Sequence, residues 1–447
     1  MKEERDQWAS RLGFILSSAG AAIGLGAIWK FPYMTGMNGG GAFFLLFIAF
    51  TLIIGLPLLI AEFVIGRGAQ REAISAYKKL APKSGWSIIG HWGVFGSFVL
   101  LSFYSVVGGW VLIYSALSIP GLIIKENSNY EQLFGMITTN PLVTIAGLGL
   151  FLIINILVVS LGIKDGIEKS SKVLMPLLFV FFIVLVLRSV TFEGAAAGLN
   201  FFLQPDFSKI TGESILYALG QSFFSLAVGF SVMVTYSSYL GKDISLPFAA
   251  GSVSIMNIFV SLLAGLAIFP VVFSFGLEPA EGPGLLFMVL PAAFAQMPFG
   301  EVFLSLFLLL FLFAVLTSSF SMLEIITSAF TEKKNRSRVK VAWLTGLVVF
   351  IAGIPAALSS SSLSGFKIFN LTVFDASDFL VSNILLPGGC LLIALFIGFR
   401  LDQSLMKQEF SYANSLSGGS YQLWFQIMRW LVPITIIIVF LGSLGIL

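Results

Sequence analysis

Apolar and polar residues in this chain come in blocks. They neither alternate like a strand nor recur along a single helical stripe. Runs of roughly 17 to 25 mostly apolar residues, long enough to cross a bilayer as helices, are separated by short segments that carry most of the charge. The pattern predicts eleven spans, at about 11–36, 42–66, 88–123, 141–162, 171–190, 214–240, 247–275, 299–330, 339–358, 374–399 and 421–445. Span 1 is interrupted. In Ser17–Gly41, SSAGAAIGLGAIWKFPYMTGMNGGG, Gly20, Gly24 and Gly26 fall within seven residues, followed by Lys30, Pro32 and a run of three glycines. Each glycine costs a helix about 1 kcal/mol relative to alanine. Non-helical backbone survives in hydrocarbon only where it lines a cavity or is packed in protein. A helix broken midway and close packing through small residues both fit this stretch on its own. Span 6, LYALGQSFFSLAVGFSVMVTYSSYL, separates the two: Gly220, Gly229, Ser222, Ser225 and Ser231 interrupt it in the same way, five spans later. A five-span repeat must invert in its second copy, and inverted repeats with broken first helices mark secondary transporters with a binding site near the membrane midplane.

Composition places all 447 residues in one membrane domain, with 57% hydrophobic and 11% charged residues against about 25% charged in soluble domains. Mean hydropathy is +0.98. No cleavable signal is apparent, since MKEERDQWASR mixes both charge signs and runs straight into span 1. If the N-terminus is cytoplasmic, 19 of the 25 basic residues fall in the tail and inner loops, while the outer loops hold Lys125, Arg188, Lys209 and Lys367. The positive-inside rule therefore puts the N-terminus in the cytoplasm and, with eleven spans, the C-terminus outside. The net charge of +3 reflects that asymmetry and is no sign of nucleic acid. The single cysteine, Cys390, is expected to pack as a small hydrophobe, and the single histidine, His91, to sit at a span entrance beside Trp92. One of each builds no metal cluster, and no phosphate-binding loop signals a nucleotide-driven pump.

Polar groups inside the spans are the candidates for function. Glu62, at the end of span 2 and just before Gly66-Arg67-Gly68, is placed to hydrogen-bond the freed amides of the broken first helix or to snorkel at the interface. Asn257 and Ser261 share a face of span 7, and Thr317 and Ser318 are hydroxyls in the otherwise apolar span 8. Tyr104 lies in span 3. Asp375 and Asp378 open span 10 on the same side as Lys30, which suggests an outer ion pair acting as a lid. The segment 277–298, with Glu278, Glu281 and four prolines, reads as a structured outer loop with short helical pieces.

The motifs WASRLGFILSSAGAAIGLGAIWKFPY, NGGGAFFL, EFVIGR, GQSFFSLAVGF and LTSSFSMLE resemble those of the neurotransmitter:sodium symporters, and the likeness runs from Trp8 to span 11. Within that family the nearest likeness is to bacterial sodium-coupled transporters of hydrophobic amino acids. The resemblance implies an all-α leucine-transporter fold of 5+5 inverted repeats, with repeat one at about 8–190, repeat two at about 214–399 and an extra span at about 421–445. A twelfth span usual in the family is missing. It further implies a symporter that imports aliphatic and aromatic L-amino acids by alternating access with two sodium ions. One sodium site falls on the carbonyls of Gly20, Ile23 and Ala314 and the hydroxyls of Thr317 and Ser318. The other falls on the Ala22 carbonyl, Ser225, Asn257 and the substrate carboxylate, but the family's span-1 Asn is Ala27 here, so one ligand is lost. The implied substrate-binding set is Ala22, Gly24, Gly26, Leu100, Tyr104, Val107, Phe224, Ala227, Phe230, Ser231, Ser318 and Met322, with Tyr104 on the substrate carboxylate and carbonyls around 224–227 on its ammonium. No acid stands in Gly20-Ala21-Ala22, where the family's monoamine carriers have an Asp. The implied gates are Phe224 and Tyr104 below Lys30 and Asp378 on the outside, and Arg5 with Glu332 near Tyr239, covered by Trp8, on the inside. Gln221, Ser225, Asn257 and Ser261 fit a chloride site, although the Tyr expected from span 2 is Phe47.

Scattered carboxylates and one histidine argue against a membrane enzyme, which would need convergent acids, bases or metal ligands. A channel would use interrupted helices too, but it needs no amino-acid pocket. A sensor that binds without moving its ligand is separated from a carrier only by flux. The sequence leaves oligomeric state open.

Overall fold

The computed structural model describes residues 6–124, 129–277, 284–332, 337–413 and 418–443. Among them there is no strand, only helices and one isolated bridge between Ile368 and Leu371. Nine continuous helices are long and apolar enough to cross a bilayer: Gly41–Ala69, Gly85–Ser118, Pro141–Ser160, Ile163–Ser189, Leu246–Ser274, Gly300–Thr331, Arg338–Ala357, Val373–Phe399 and Gly418–Gly442. They are spans 2–5 and 7–11. Span 1 is the bent pair Arg11–Ala22 and Gly26–Met37, whose halves meet at 51°. The predicted span 6 is not one helix: Gly212–Ser225 and Val232–Ser237 are separated by six non-helical residues. The expected count of eleven is reached only when this pair is taken as a single broken span.

Local chemistry starts the helices where they start. Ser10 caps span 1 by accepting the amide of Gly13 at 3.0 Å, and Glu168 accepts the amide of Ala9 at 2.7 Å and the hydroxyl of Ser10 at 2.9 Å. Asn140 caps span 4 with Pro141 at its first position, where proline's missing N–H costs nothing. Thr211 and Ser214 form a capping box for the outer half of span 6.

Packing sorts the spans into a centre and a rim. Span 3 is 78% buried over its most apolar window, against 28% for span 5 and 33% for span 11. Span 3 runs along span 8, span 1 packs against spans 5, 7 and 8, and span 2 flanks both halves of span 6. The two broken spans thus lie inside a shell of continuous ones. A separate aromatic cluster of Phe31, Phe43, Phe44, Phe47, Phe202 and Phe269 fills the space around the outer half of span 1. Of the predicted outer loop, 284–295 ends in the helix Leu285–Ala295, with Phe287 stacked on Phe134 at 5.3 Å. Glu278 and Glu281 lie outside the described residues. Cys390 is free and buried against Gly229, and His91 is exposed, its ring 2.8 Å from the Ser87 carbonyl.

The EFVIGR run has two structural duties. Arg67 is 1% exposed and forms a buried ion pair with Glu409 at 2.6 Å, while donating to the carbonyls of Ile244 and Glu409. Glu62 does not serve span 1 and does not snorkel. Its carboxyl accepts the amides of Gly229 at 2.7 Å, Met233 at 3.1 Å and Val234 at 3.3 Å, all in span 6. Span 2 lies along the inner half of span 6, so the freed amides within its reach are those of the second broken helix.

Candidate functional site

The break in span 1 redirects four backbone groups. The amide of Gly24 turns to the Ala22 carbonyl at 3.1 Å, so it no longer reaches Gly20, as it would in a continuous helix. The amide of Leu25 donates to the hydroxyl of Tyr104 at 3.3 Å, and the Ala21 carbonyl accepts the hydroxyl of Ser318 at 3.0 Å. Glycine is required for this approach. A Cβ at Gly24 would lie 2.6 Å from the Tyr104 oxygen and 2.7 Å from Ser318 Cβ, and one at Gly20 would lie 2.9 Å from Thr317 Cβ. In span 6, Ala227 (φ 52°), Gly229 (φ 97°) and Ser231 (φ 57°) adopt left-handed backbone. For a non-glycine residue that conformation is uncommon and persists where the surroundings hold it. Glu62 holds Gly229, and Tyr77 holds Ser231 with a 3.0 Å hydrogen bond.

The structure brings the residues of the first predicted cation set together in part. Thr317 Oγ1 donates to the carbonyls of Phe313 at 3.0 Å and Ala314 at 3.1 Å, and its side chain lies against Gly20. With the protons of Thr317 and Ser318 spent on carbonyls, their lone pairs remain available to a cation. A donor set of neutral hydroxyl and carbonyl oxygens suits a hard monovalent ion. In the second set, Ser225 Oγ lies 2.9 Å from Asn257 Oδ1 and 2.7 Å from Nδ2. Ala27 is fully buried, and its side chain brings no oxygen. Gln221 Nε2 donates to the Gly26 carbonyl at 2.7 Å, while Gln221 Oε1 and Ser261 Oγ are buried without a hydrogen-bond partner. Phe47 packs on Phe31 with ring centroids 4.9 Å apart and so faces the aromatic cluster.

Between the two breaks is a small cavity, about 20 Å³, lined among others by Ala22, Gly24, Gly26, Leu100, Tyr104 and Phe224. Ala227, Phe230, Ser318 and Met322 of the predicted set line it too, and none of its lining residues is charged. Val107 and Ser231 are buried but do not line it; Ser231 is turned to Tyr77. Sequence reading missed Ala21, Leu25, Val232, Ser321 and Leu386. Leu386 is contributed by span 10, and no polar or glycine signal marks it.

Above the cavity is a vestibule of about 170 Å³, and Leu25, Tyr104 and Phe224 line both spaces. Over them, Lys30 Nζ stands 3.7 Å from Asp378 and 4.9 Å from the centre of the Phe224 ring. Ser382 bridges the ion pair at 3.0 Å on each side. At the opposite end, Trp8 donates from its indole to the Tyr236 carbonyl at 2.8 Å and from its amide to the Tyr239 carbonyl at 3.3 Å. Arg5 and the side chain of Glu332 lie outside the described residues. The ion pair described at this end is Arg338–Glu324, between the basic loop and span 8, a pairing the sequence reading does not single out. Glu324 also accepts the Tyr239 hydroxyl at 2.8 Å, and Arg338 reaches Asp6 at 4.0 Å and the Val159 carbonyl at 2.8 Å. The network ties the tail to spans 4, 6, 8 and 9. Glu324→Gln removes the charge that holds Arg338, so it is expected to loosen this end and raise the labelling rate of a cysteine placed at Ser238 by several-fold in a cysteine-free background. An unchanged rate would show that the network does not hold the inner side shut.

The model of the sodium:neurotransmitter symporter family matches residues 5–131 and 136–445. The chain belongs to that family. The symporter is 51% identical, over the full length of both chains, to an uncharacterized sodium-dependent transporter (YhdH) of Bacillus subtilis. It is 39% identical, over 99% of both chains, to an uncharacterized sodium-dependent transporter of Haemophilus influenzae. It also matches a sodium- and chloride-dependent GABA transporter 2 of Homo sapiens at 26% identity, covering 82% of this chain and 69% of that one. Among solved structures, MhsT in complex with L-phenylalanine matches with a TM-score of 0.92 and 41% identity, covering 98% of this chain and 100% of that one. The protein is therefore a multi-pass, sodium-dependent symporter with the leucine-transporter fold, and not an enzyme.

Proposed function

We propose that this symporter imports hydrophobic L-amino acids, aliphatic and aromatic, with two sodium ions, by alternating access between two inverted repeats of about 8–190 and 214–399. The observation that carries the substrate class is the cavity between the two helix breaks, whose lining is apolar and uncharged apart from the hydroxyls of Tyr104, Ser318 and Ser321. A neutral zwitterion suits it. The substrate carboxylate meets Tyr104 and the N-terminal end of the outer half of span 1, where the helix dipole favours negative charge. Carbonyls around Phe224–Ala227 take the ammonium, and Leu100, Phe230 and Met322 take the side chain. The L-phenylalanine bound in MhsT supports the same class. Gly20, Ile23, Ala314, Thr317 and Ser318 hold one sodium. Ala22, Ser225, Asn257 and the substrate hold the other, with water in place of the side chain that Ala27 lacks. Gln221, Ser225, Asn257 and Ser261 hold chloride, which fits the buried hydroxyl of Ser261, a donor without a partner. The N-terminus is cytoplasmic and the C-terminus extracellular. Each sodium draws about 2.3 kcal/mol per 100 mV from the membrane potential.

Uptake of labelled leucine, phenylalanine and tryptophan into proteoliposomes tests the reading. Accumulation is expected only with an inward sodium gradient, and Thr317→Ala is expected to raise the half-saturating sodium concentration about tenfold or more, one lost ligand being worth at least about 1.4 kcal/mol. Preference for charged or short polar amino acids would overturn the substrate class, and binding without accumulation would make the protein a sensor. Uptake unchanged on replacing chloride by gluconate would remove chloride from the mechanism.

A further inference from the structure

A cation without an acceptor among the described residues stands in span 11. Arg429 lies in the π-helical turn Ile427–Leu431. Its guanidinium carbon is 5.1 Å from the ring centre of Phe399, 5.4 Å from Trp430 and 5.8 Å from Phe425. Its Nε is buried and has no hydrogen-bond partner, and no ion pair to a described carboxylate relieves it. The nearest acids in sequence are already used: Asp402 caps its own turn through Ser404, and Glu409 is held by Arg67. Rings satisfy the face of a guanidinium but not its five in-plane N–H donors.

The height of the group in the membrane can be read from its neighbours. Before it, Gln422, Leu423 and Gln426 are exposed, two of them polar; after it, the exposed Trp430, Leu431, Ile434, Ile437 and Ile438 are all apolar. Gly398, next to the last residue of span 10, packs against it, so that a Cβ there would meet Arg429 Cα at 3.1 Å. Arg429 therefore sits where two spans leave the hydrocarbon, with an exposed tryptophan beside it, the position tryptophan favours at a membrane interface. At that depth the acceptor in supply is the phosphate of a phospholipid. An unpaired Arg with no carboxylate to hold an ammonium selects a headgroup of net negative charge.

We propose that Arg429, framed by Phe399 and Trp430, is a binding site for the phosphate of an anionic phospholipid whose chains lie along Leu431, Ile434 and Ile438. The forked guanidinium can donate two parallel bonds to one phosphate, which a lysine cannot. The site is separate from the transport cavity, so its test does not depend on the substrate.

The test is a lipid titration of the purified full-length symporter in detergent, followed by native mass spectrometry and thermal denaturation, with phosphatidylglycerol, phosphatidylcholine and inorganic phosphate as ligands. The wild type is expected to retain phosphatidylglycerol over phosphatidylcholine and to ignore inorganic phosphate. Arg429→Gln is expected to weaken phosphatidylglycerol retention about five- to tenfold without changing phosphatidylcholine, and Arg429→Lys is expected to fall between. Arg400→Gln, a neighbouring exposed cation, is expected to leave the strongest phosphatidylglycerol association intact. Equal retention by the wild type and Arg429→Gln overturns the proposal, as does loss on Arg400→Gln alone or no preference over phosphatidylcholine in the wild type. Should Arg429→Gln not yield monodisperse protein, Arg429→Lys carries the comparison, and retention unchanged from the wild type then overturns the forked contact.

Discussion

Glu62→Ala is expected to leave almost no folded, transport-competent protein. The side chain is fully buried and accepts three backbone amides, those of Gly229, Met233 and Val234. All three belong to the break in span 6 or to the first turn of its inner half-helix, in the buried interior. Each buried donor left unsatisfied costs about 1–3 kcal/mol, so the three together approach the whole stability of a typical domain, about 5–15 kcal/mol. The loss is also local to function. The positive φ of Ala227 and Ser231 is strained backbone kept in place by its surroundings, and Glu62 is one of the groups that keep it. Glu62→Gln separates the two effects. The amide oxygen still accepts from one side, but its NH₂ now faces a backbone N–H, so one end of the clamp is lost. The expected result is a purifiable protein whose melting temperature falls by about 5 °C or more and whose uptake is severely reduced. A Glu62→Ala variant that purifies at wild-type yield and melts at the wild-type temperature would show that span 6 holds its break without this carboxyl.

How much of this was legible in the sequence depends on the kind of signal. The spans were, because a block of apolar residues long enough for a bilayer leaves little room for another reading. The break in span 1 was legible from Gly20, Gly24 and Gly26, which allow Tyr104, Thr317 and Ser318 to approach the backbone. The break in span 6 was legible as an event and in part in position: Gly229 and Ser231 lie in it, whereas Ser222 and Ser225 do not. Gly220 lies inside the outer half-helix, and the break falls at 226–231, where alanine and serine take the left-handed conformation usually left to glycine. Glu62 was recognisable as functional, yet both broken helices free amides, and only the packing of span 2 along span 6 decides between them. Arg67–Glu409 joins residues 342 apart, and Arg338–Glu324 closes across a basic loop, so sequence distance hides one pair and a run of like charge hides the other. Pocket residues such as Leu386 had no signal, because an apolar side chain facing a cavity looks the same in sequence as one facing lipid.

Gly24→Ala is expected to cut sodium-driven uptake at least tenfold while leaving a protein that still folds. The added methyl would lie 2.6 Å from the Tyr104 hydroxyl and 2.7 Å from both Cβ and Oγ of Ser318. Tyr104 can swing its hydroxyl aside, but only by giving up the amide of Leu25 that it now accepts. Ser318 cannot retreat, because its Cβ is fixed to span 8. Span 1 and span 8 must therefore separate by several tenths of an ångström, and the hydrogen bond from Ser318 to the Ala21 carbonyl stretches with them. That bond joins a predicted sodium ligand on span 8 to the broken backbone that carries two more, Gly20 and Ile23, so the cation loses its geometry before the helices lose their packing. Overpacking of this kind costs about 1–3 kcal/mol, enough to disable a site assembled from neutral oxygens but too little to unfold the helical bundle. The readouts separate accordingly. Melting temperature without sodium should stay near the wild-type value, and the stabilisation that sodium adds should shrink along with uptake. Wild-type uptake with undiminished stabilisation by sodium would mean that the contact between Gly24 and Ser318 plays no part in holding the ion.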